Sequence, residues 1–297
     1  MALRLQSASF PCLSASALAI VAALGFAAAP ALAQSAVEKQ QMSQNTDKTF
    51  ESFKSDAFGD KPITANADFI KMTAPYRAED AAVVPIDIDV VLPEGDKRTI
   101  SKVTLIVDEN PSPIAAAFVV GQNRKEFGLS TRLRVNAYST VRTVVETSDG
   151  QLAMNGKFVK ASGGCSAPAL KDQDEAINRI GQTRFRNLAQ QSAPEQSEVT
   201  KFDRAQLMIR HPNYSGLQMN QVDRTYIPAW FVNHIEVKQG DEMVFTMDGG
   251  ISLSEDPMLQ FSYHKKPGAK LAMTGTDTQG KQFSAELQQD AANAETR

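Results

Sequence analysis

The segment that most constrains the fold is 84–91, where apolar side chains return at every second position. Val84, Ile86, Ile88 and Val90 alternate with Pro85, Asp87, Asp89 and Val91. Successive side chains of a β-strand point to opposite faces of a sheet, so this period of two collects the apolar side chains on one face. The segment therefore predicts a β-strand that is buried on one side.

Similar short segments follow along the chain, separated by turn residues. Strands are predicted at 100–107, 114–120, 129–137, 141–146, 207–210, 231–237, 242–247, 259–263 and 270–274. Turns are predicted at Asp149-Gly150, Asn155-Gly156, Gln239-Gly240 and Gln279-Gly280, because glycine adopts the backbone angles that tight turns require. Many short strands without helices between them are typical of antiparallel β-sandwiches. We therefore predict an all-β protein, with one sandwich on each side of a polar, linker-like stretch at 190–197.

Two segments with helical periodicity flank the first sandwich. In 34–69, apolar side chains form one stripe that predicts a short docking helix: Phe50, Phe53 and Ala57. In 166–202, a second stripe over 170–188 predicts a helical linker between the sandwiches: Ile177, Ile180, Gly181, Phe185 and Leu188. The remaining predicted domains are the sandwiches, 70–165 and 203–287, and a polar, disordered tail, 288–297.

Residues 1–33 have the features of an export signal. Arg4 precedes a short apolar run, and Ala31-Leu32-Ala33 gives the small-residue cleavage pattern. No later stretch approaches the ~20 apolar residues that a membrane helix needs. The sequence predicts a cleaved signal peptide, a protein exported to a bacterial periplasm, and no membrane association.

The charge balance and the histidines exclude several function classes. The formal charge is −3 without a basic stripe, which argues against nucleic acid and against an anionic membrane as partners. The three histidines, His211, His234 and His264, are far apart in sequence, and none has a neighbouring ligand at metal-site spacing. We predict no metal, no cofactor and no catalytic residue, and we expect His211 to have a structural or surface role.

A single cysteine remains once the signal with Cys12 is removed. Cys165 follows Gly163 and Gly164, two residues without Cβ atoms, which favour a pliant stalk. An unpartnered thiol in an oxidising compartment is either joined to another molecule or kept for chemistry. We therefore predict an exposed thiol on an arm formed by the two glycines and Ser166, and a possible disulfide dimer through the same cysteine.

The chain also resembles a known family. Residues around 70–165 look like SoxY, the sulfur-carrier subunit of thiosulfate oxidation, on the stretches Val84-Pro-Ile, Leu105-Ile-Val-Asp-Glu-Asn-Pro-Ser-Pro, Ser130-Thr-Arg-Leu-Arg-Val and Gly163-Gly-Cys. Residues around 203–287 look like SoxZ, on Met208-Ile-Arg-His-Pro, Ser215-Gly, Ile227-Pro-Ala-Trp-Phe and Asp256-Pro. The whole resembles the fused SoxYZ-like carriers associated with quinoprotein dehydrogenases.

The resemblance implies two immunoglobulin-like sandwiches and a carrier without catalysis of its own. Cys165 would hold a sulfur-containing intermediate, thiosulfate-derived or otherwise thiol-reactive, and the arm would present it to partner enzymes. Here Ser166-Ala-Pro follows the cysteine, whereas the family's arm ends the SoxY chain, so this arm is tethered at both ends. Two alternatives stay open: an accessory module for a quinoprotein alcohol dehydrogenase with an incidental cysteine, and a cysteine-dependent enzyme.

Overall fold

The computed structural model describes residues 45–168, 173–188 and 202–287. The predicted signal peptide 1–33, the start of the N-terminal segment, parts of the linker and the tail 288–297 lie outside these ranges. All described residues belong to one compact unit, Ser43–Arg297.

The described chain is built mainly from β-strands. In the N-terminal half, helix α1 (45–58) precedes β1 (Ile63–Thr64), β2 (Ile70–Thr73), β3 (Val84–Val91), β4 (Ile100–Val107), β5 (Ile114–Val120), β6 (Glu126–Leu133), β7 (Ser139–Thr147) and β8 (Leu152–Val159). In the C-terminal half, helix α2 (Gln173–Asn178) precedes β9 (Thr183–Asn187), β10 (Asp203–Ile209), β11 (Val232–Gln239), β12 (Glu242–Gly249), β13 (Met258–Tyr263), β14 (Leu271–Asp277) and β15 (Gln282–Glu286). The predicted all-β class is confirmed.

The strands form two sheets, and each sheet contains strands of both halves. The larger sheet has the order β1-β8-β7-β4-β5-β12-β11-β14-β15, and the smaller has the order β2-β3-β6-β13-β10-β9. The halves meet where β12 pairs antiparallel with β5 and where β13 pairs with β6. Each junction covers a strand edge that a separate sandwich would leave open. The two sandwiches are therefore joined by backbone hydrogen bonds in both sheets.

The main core lies between the two sheets and crosses the junction. The alternating apolar side chains of β3 are buried in it, as their period predicts. At the junction, the Phe245 ring lies 5.7 Å from the Phe118 ring and 5.0 Å from the Phe261 ring, in edge-to-face geometry. Such aromatic pairs stabilise beyond their buried area. The same core thus stabilises both halves.

Helix α1 covers a second, smaller apolar cluster on the larger sheet. Phe50 is buried against Ile106, Val144 and Leu152 of that sheet. The helix carries Phe50 and Phe53 on one stripe, as the sequence predicts, and their rings lie 5.5 Å apart. The helix stabilises the sheet, and it carries none of the predicted site residues.

One predicted turn is wrong. Asn155 and Gly156 lie inside β8, opposite Thr143 and Arg142 of β7. Asn155 Nδ2 donates to the carbonyl oxygen of Ile70, 2.8 Å away. A Cβ on Gly156 would lie 2.9 Å from Thr140 Cγ2, so the glycine allows a close approach within the sheet. The turn at Gly150 is confirmed, with a φ of 80°.

The predicted linker helix is wrong in its second half. Helix α2 covers only Gln173–Asn178, Gly181 has a φ of 85°, and the chain then forms β9. Phe185 of β9 points into the core while its neighbours Arg184 and Arg186 are exposed. Pairing with β10 selects this strand, because tertiary contacts override weak helical periodicity in short segments.

Candidate functional site

The Gly163-Gly164-Cys165 segment follows β8 and lies against the chain just after β6. Gly163 N donates to Asn136 O at 2.8 Å, and Gly164 N donates to Val135 O at 3.1 Å. Ser166 N closes a turn onto Gly163 O at 3.1 Å. The segment is therefore docked through its backbone.

The chain after β6 forms this docking edge because it leaves the sheet there. The side chain of Asn110 donates to Arg134 O at 2.7 Å and accepts from Asn136 N at 2.8 Å. Arg134 N donates to Ser252 O at 2.7 Å. These contacts end β6 at Leu133, earlier than the predicted residue 137, and they orient the carbonyl groups of Val135 and Asn136 toward the glycines.

The structure requires glycine at positions 163 and 164 for two different reasons. Gly163 has a φ of 78°, a conformation that favours glycine. A Cβ on Gly164 would lie 2.0 Å from Ala81 O and 2.7 Å from Val135 O. Gly164 therefore passes through a space too narrow for any side chain. The prediction of an unpacked stalk is wrong, because Gly164 is buried.

The thiol at the end of this segment is buried. Cys165 is a free cysteine with 0% exposure, so the predicted exposed thiol is wrong for the docked segment. Burial raises the pKa of the Cys165 thiol to about 11, although the nearby Arg134 guanidinium lowers it in part. The docked thiol is protonated at neutral pH and is a weak nucleophile. Ser166 beside it is exposed.

The C-terminal half holds the other side of the segment. The Ser215 hydroxyl donates to the carbonyl oxygen of Cys165. Gln218 Nε2 donates to Ala167 O at 3.0 Å, and Gln218 Oε1 accepts from Ser215 N at 3.1 Å. Ser215 and Gln218 are both buried. The cysteine therefore lies in a site to which both halves of the chain contribute.

A buried arginine lies beside the thiol. Arg134 is 1% exposed, and its Nη1 donates to Gly164 O at 3.2 Å while its Nη2 donates to Asn213 O at 3.4 Å. Its Nε is buried without a hydrogen-bond partner among the described residues. Burial lowers the pKa of Arg134, and the charges of Glu255 and Asp80, with that of Cys165 when it is ionised, oppose that shift. The guanidinium is close enough to the cysteine to change the thiol's acidity.

His211 supports this arginine indirectly. It is buried, its Nδ1 accepts from Asn213 N at 3.0 Å, and its Nε2 lies 3.3 Å from Asp277 Oδ2. Trp230 Nε1 donates to the same carboxylate oxygen at 2.9 Å. The network fixes Asn213, whose carbonyl oxygen accepts from Arg134. The sequence predicts a structural or surface role for His211; it is buried and hydrogen-bonded, which is consistent with the structural one.

Sequence reasoning missed the residues around the cysteine. Arg134 and Ser215 belong to stretches that carry the family resemblance, but no local pattern gave them a role. Gln218 had no signal at all. Their proximity to Cys165 comes from contacts between residues far apart in the chain. Such contacts cannot be deduced from periodicity or spacing.

The described part of the chain offers neither a metal cluster nor a membrane helix. Within 45–168, 173–188 and 202–287, no group of three or more His, Cys, Asp or Glu residues is placed to hold a metal ion. In the same ranges no helix is long and apolar enough to cross a membrane.

Two family models match the chain. The sulfur oxidation protein SoxY matches residues 54–165, and the sulphur oxidation protein SoxZ matches residues 191–288. The predicted resemblance to both is confirmed. No curated protein sequence matches the chain.

Three solved structures show weaker likeness. The sulfur carrier protein SoxY from Chlorobium limicola f thiosulfatophilum is 24% identical, over 38% of this chain and 96% of that chain, with a TM-score of 0.31. A superoxide reductase (neelaredoxin) from Ignicoccus hospitalis is 12% identical, over 33% and 93%, with a TM-score of 0.27. A β-glycosidase from Bacteroides vulgatus is 7% identical, over 77% and 25%, with a TM-score of 0.21.

Proposed function

Because the chain belongs to the SoxY and SoxZ sulfur-oxidation families, with both domains in one polypeptide, we propose that it is a covalent sulfur carrier. In this proposal Cys165 holds a sulfur-containing intermediate as a covalent adduct, and partner enzymes of sulfur oxidation load and remove it. The chain supplies the thiol and its shelter and has no catalytic activity of its own.

One observation carries the proposal. The SoxY match ends at residue 165, which is the free cysteine after the two glycines. Hydrogen bonds from both halves hold the Gly163–Cys165 segment in its docked position. Hydrogen bonds of this kind contribute about 0.5–1.5 kcal/mol each, and in this proposal the segment leaves its site by breaking them while the sheets stay folded.

The buried thiol gives the carrier two states. In the docked state the high pKa keeps Cys165 protonated, which protects it from oxidation. In the undocked state the thiol meets solvent, and its pKa returns toward the usual value. Joining a thiol to thiosulfate releases one proton and two electrons, and we assign those electrons to a partner oxidoreductase. The arm that carries the thiol consists of Gly163, Gly164 and Ser166.

The proposed compartment is the periplasm, where the predicted signal peptide 1–33 would send the chain. Docking and undocking would protect a reactive thiol there between encounters with partner enzymes. A disulfide dimer through Cys165 would require the undocked state in both molecules. The association with a quinoprotein dehydrogenase also stays a proposal.

A second candidate function is an accessory binding module with an incidental cysteine. Large apolar side chains are exposed in the loop between β10 and β11 that covers Cys165: Leu217, Met219, Val222 and Tyr226. Exposed apolar groups of this kind favour contact with another protein. In this alternative the partner would be the quinoprotein alcohol dehydrogenase, and the loop would bind it without any transfer.

Replacement of the cysteine separates the two candidates. A strain without the gene is complemented with wild-type protein, Cys165→Ser or the nearby control Ser162→Ala, and thiosulfate oxidation is measured. The carrier proposal predicts activity with the wild type and the control, and none with Cys165→Ser. Full activity with Cys165→Ser would reject the carrier and support the accessory module.

A further inference from the structure

The Cys165 site contains a buried cation with weak hydrogen-bond partners. Within the described chain, the hydrogen bonds of the Arg134 guanidinium go to two neutral carbonyl oxygens, at 3.2 and 3.4 Å, and its Nε has none. A buried charge is costly unless good hydrogen bonds or an opposite charge compensate it. The charges of Glu255 and Asp80 act on Arg134, but its Nε still has no hydrogen-bond partner, so this donor is available to an anion.

The unused donor is on one edge of the guanidinium. Nε and Nη2 form the edge that binds two oxygens of an oxyanion side by side. The same chain shows this geometry at Arg98, whose Nε and Nη2 lie 3.1 and 2.7 Å from the two carboxylate oxygens of Asp96. In Arg134 the corresponding edge makes, among the residues described, only the long bond from Nη2 to Asn213. This edge therefore has the same donors that Arg98 uses for its carboxylate, and one of them, Nε, is unused.

The position of Arg134 connects this donor to the cysteine. Its Nη1 donates to the carbonyl of Gly164, the residue that precedes Cys165. The Arg134 guanidinium also lowers the pKa of the Cys165 thiol, against the larger effect of burial. When the arm docks, the cysteine is therefore brought next to a cation that is already buried and fixed.

This step rests on the proposed carrier function. We propose that Arg134 binds the negatively charged end of the group carried on Cys165. The docked site then retains adducts that end in a sulfur oxyanion, such as a sulfonate or a sulfane sulfonate, in preference to neutral adducts. A sulfonate can present two oxygens to the edge formed by Nε and Nη2, as a carboxylate does. Arg134 is a positioning residue in this account, and the thiol chemistry belongs to Cys165.

The test compares an anionic adduct with a neutral adduct of the full-length protein. Tetrathionate gives the anionic one: the Cys165 thiolate attacks a central sulfur, a new S–S bond forms, the central S–S bond breaks, and thiosulfate leaves with the electron pair. The thiol proton goes to solvent, and tetrathionate is the oxidant. Methyl methanethiosulfonate gives the neutral one, because it transfers a methylthio group and releases methanesulfinate. Intact mass confirms complete loading.

The measured quantity is the rate at which dithiothreitol removes each adduct. We expect Arg134→Gln to accelerate removal of the anionic adduct about tenfold and removal of the neutral adduct less than about twofold. Arg134→Lys keeps the positive charge but lacks the two-donor edge of the guanidinium. Its rate of removal of the anionic adduct should fall between those of the wild type and Arg134→Gln. The matched control is Arg132→Gln, because Arg132 lies in β6 and its Nη2 donates to Asp256 O at 3.0 Å. It should leave both rates unchanged.

Equal acceleration of both adducts by Arg134→Gln, or no acceleration, would overturn the proposal. If Arg134→Gln does not fold, the wild type alone decides: the anionic adduct should raise the Tm above that of the methylthio adduct, and an equal or lower Tm rejects the proposal. These probe adducts do not depend on the natural cargo. The carrier function is tested separately and is rejected if Cys165→Ser retains full thiosulfate oxidation in the complemented strain.

Discussion

At the scale of the residue, burial determines what the Cys165 thiol can do. Docking raises the pKa of the thiol from 9.0 to about 11, because the charged form loses solvent. Because the docked site favours the protonated thiol, this group stabilises the docked state fully below pH 9. That stabilisation is lost as the pH rises toward 11 and the thiol ionises. A thiol that stays protonated at neutral pH is protected from oxidation, as the proposed carrier requires.

The first prediction concerns the pH dependence of Cys165 alkylation. We expect iodoacetamide to react slowly with the folded protein at neutral pH and to react faster toward about pH 10, as the thiolate forms and the docked state weakens. Urea-unfolded protein should react faster at every pH and show an ordinary thiol titration. Mass spectrometry of the Cys165 peptide gives both rates. A folded-state profile identical to the unfolded one would contradict the buried thiol.

The second prediction concerns the narrow passage at Gly164. In Gly164→Ala the new Cβ would overlap Ala81 O and Val135 O, so the arm cannot dock as it does in the wild type. We expect alkylation of Cys165 to accelerate by at least about tenfold, since the docking hydrogen bonds are lost together. Ser162→Ala is the control because Ser162 is exposed. Wild-type protection in Gly164→Ala would show that the passage does not hold the arm.

At the scale of the element, the loop between β10 and β11 acts as the outer wall of the site. Ser215 and Gln218 project from it to the carbonyl groups of Cys165 and Ala167. The buried hydrogen bonds of His211 and Asn213 hold the loop in place. The C-terminal half therefore shelters a thiol that the N-terminal half presents.

The third prediction tests this wall. Gln218→Ala removes the hydrogen bond to Ala167 O, which holds the arm, and the bond from Ser215 N within the loop. The bond to the arm contributes about 1 kcal/mol, so we expect Cys165 alkylation to become about fivefold faster. Gln221→Ala is the matched control, because Gln221 lies in the same loop and is exposed. Equal alkylation rates in the two variants would show that the contacts of Gln218 do not protect the Cys165 thiol.

Strand prediction succeeded where the pattern was local. The bounds of β4 and β5 follow from their apolar runs and from the prolines and charged residues beside them. Prediction failed at Asn155-Gly156 and at β9, where a partner strand distant in sequence selects the conformation. The glycines and the cysteine could be singled out from the sequence as a candidate site. The burial of these residues could not be predicted from the sequence, because it depends on contacts with Ala81, Val135 and Ser215, which are distant in the chain.

At the scale of the whole molecule, the two halves share both sheets and one core. The strand pairs β5–β12 and β6–β13 cross the junction, and Phe118, Phe245 and Phe261 fill the space between the sheets there. The site around Cys165 takes residues from each half. A loss of the junction would therefore open the site as well as destabilise the fold.

The fourth prediction follows from the shared core. Phe245→Ala should lower the free energy of unfolding by about 3–5 kcal/mol, the usual cost of removing a buried phenylalanine. The C-terminal Trp230 fluorescence and the protection of Cys165 in the N-terminal half should be lost in one urea transition. Val222→Ala is the control because Val222 is 93% exposed, and it should change stability by less than about 0.5 kcal/mol. Two separate transitions would contradict a shared core.

The central claim is that Cys165 carries sulfur, and the intact mass of the protein isolated from the cells that make it tests this claim most directly. Cells are grown with a reduced sulfur compound, and the mass is measured with and without reductant. The account predicts an added mass that maps to the Cys165 peptide and disappears with reductant. An unmodified thiol at Cys165 under every sulfur substrate supplied would contradict it.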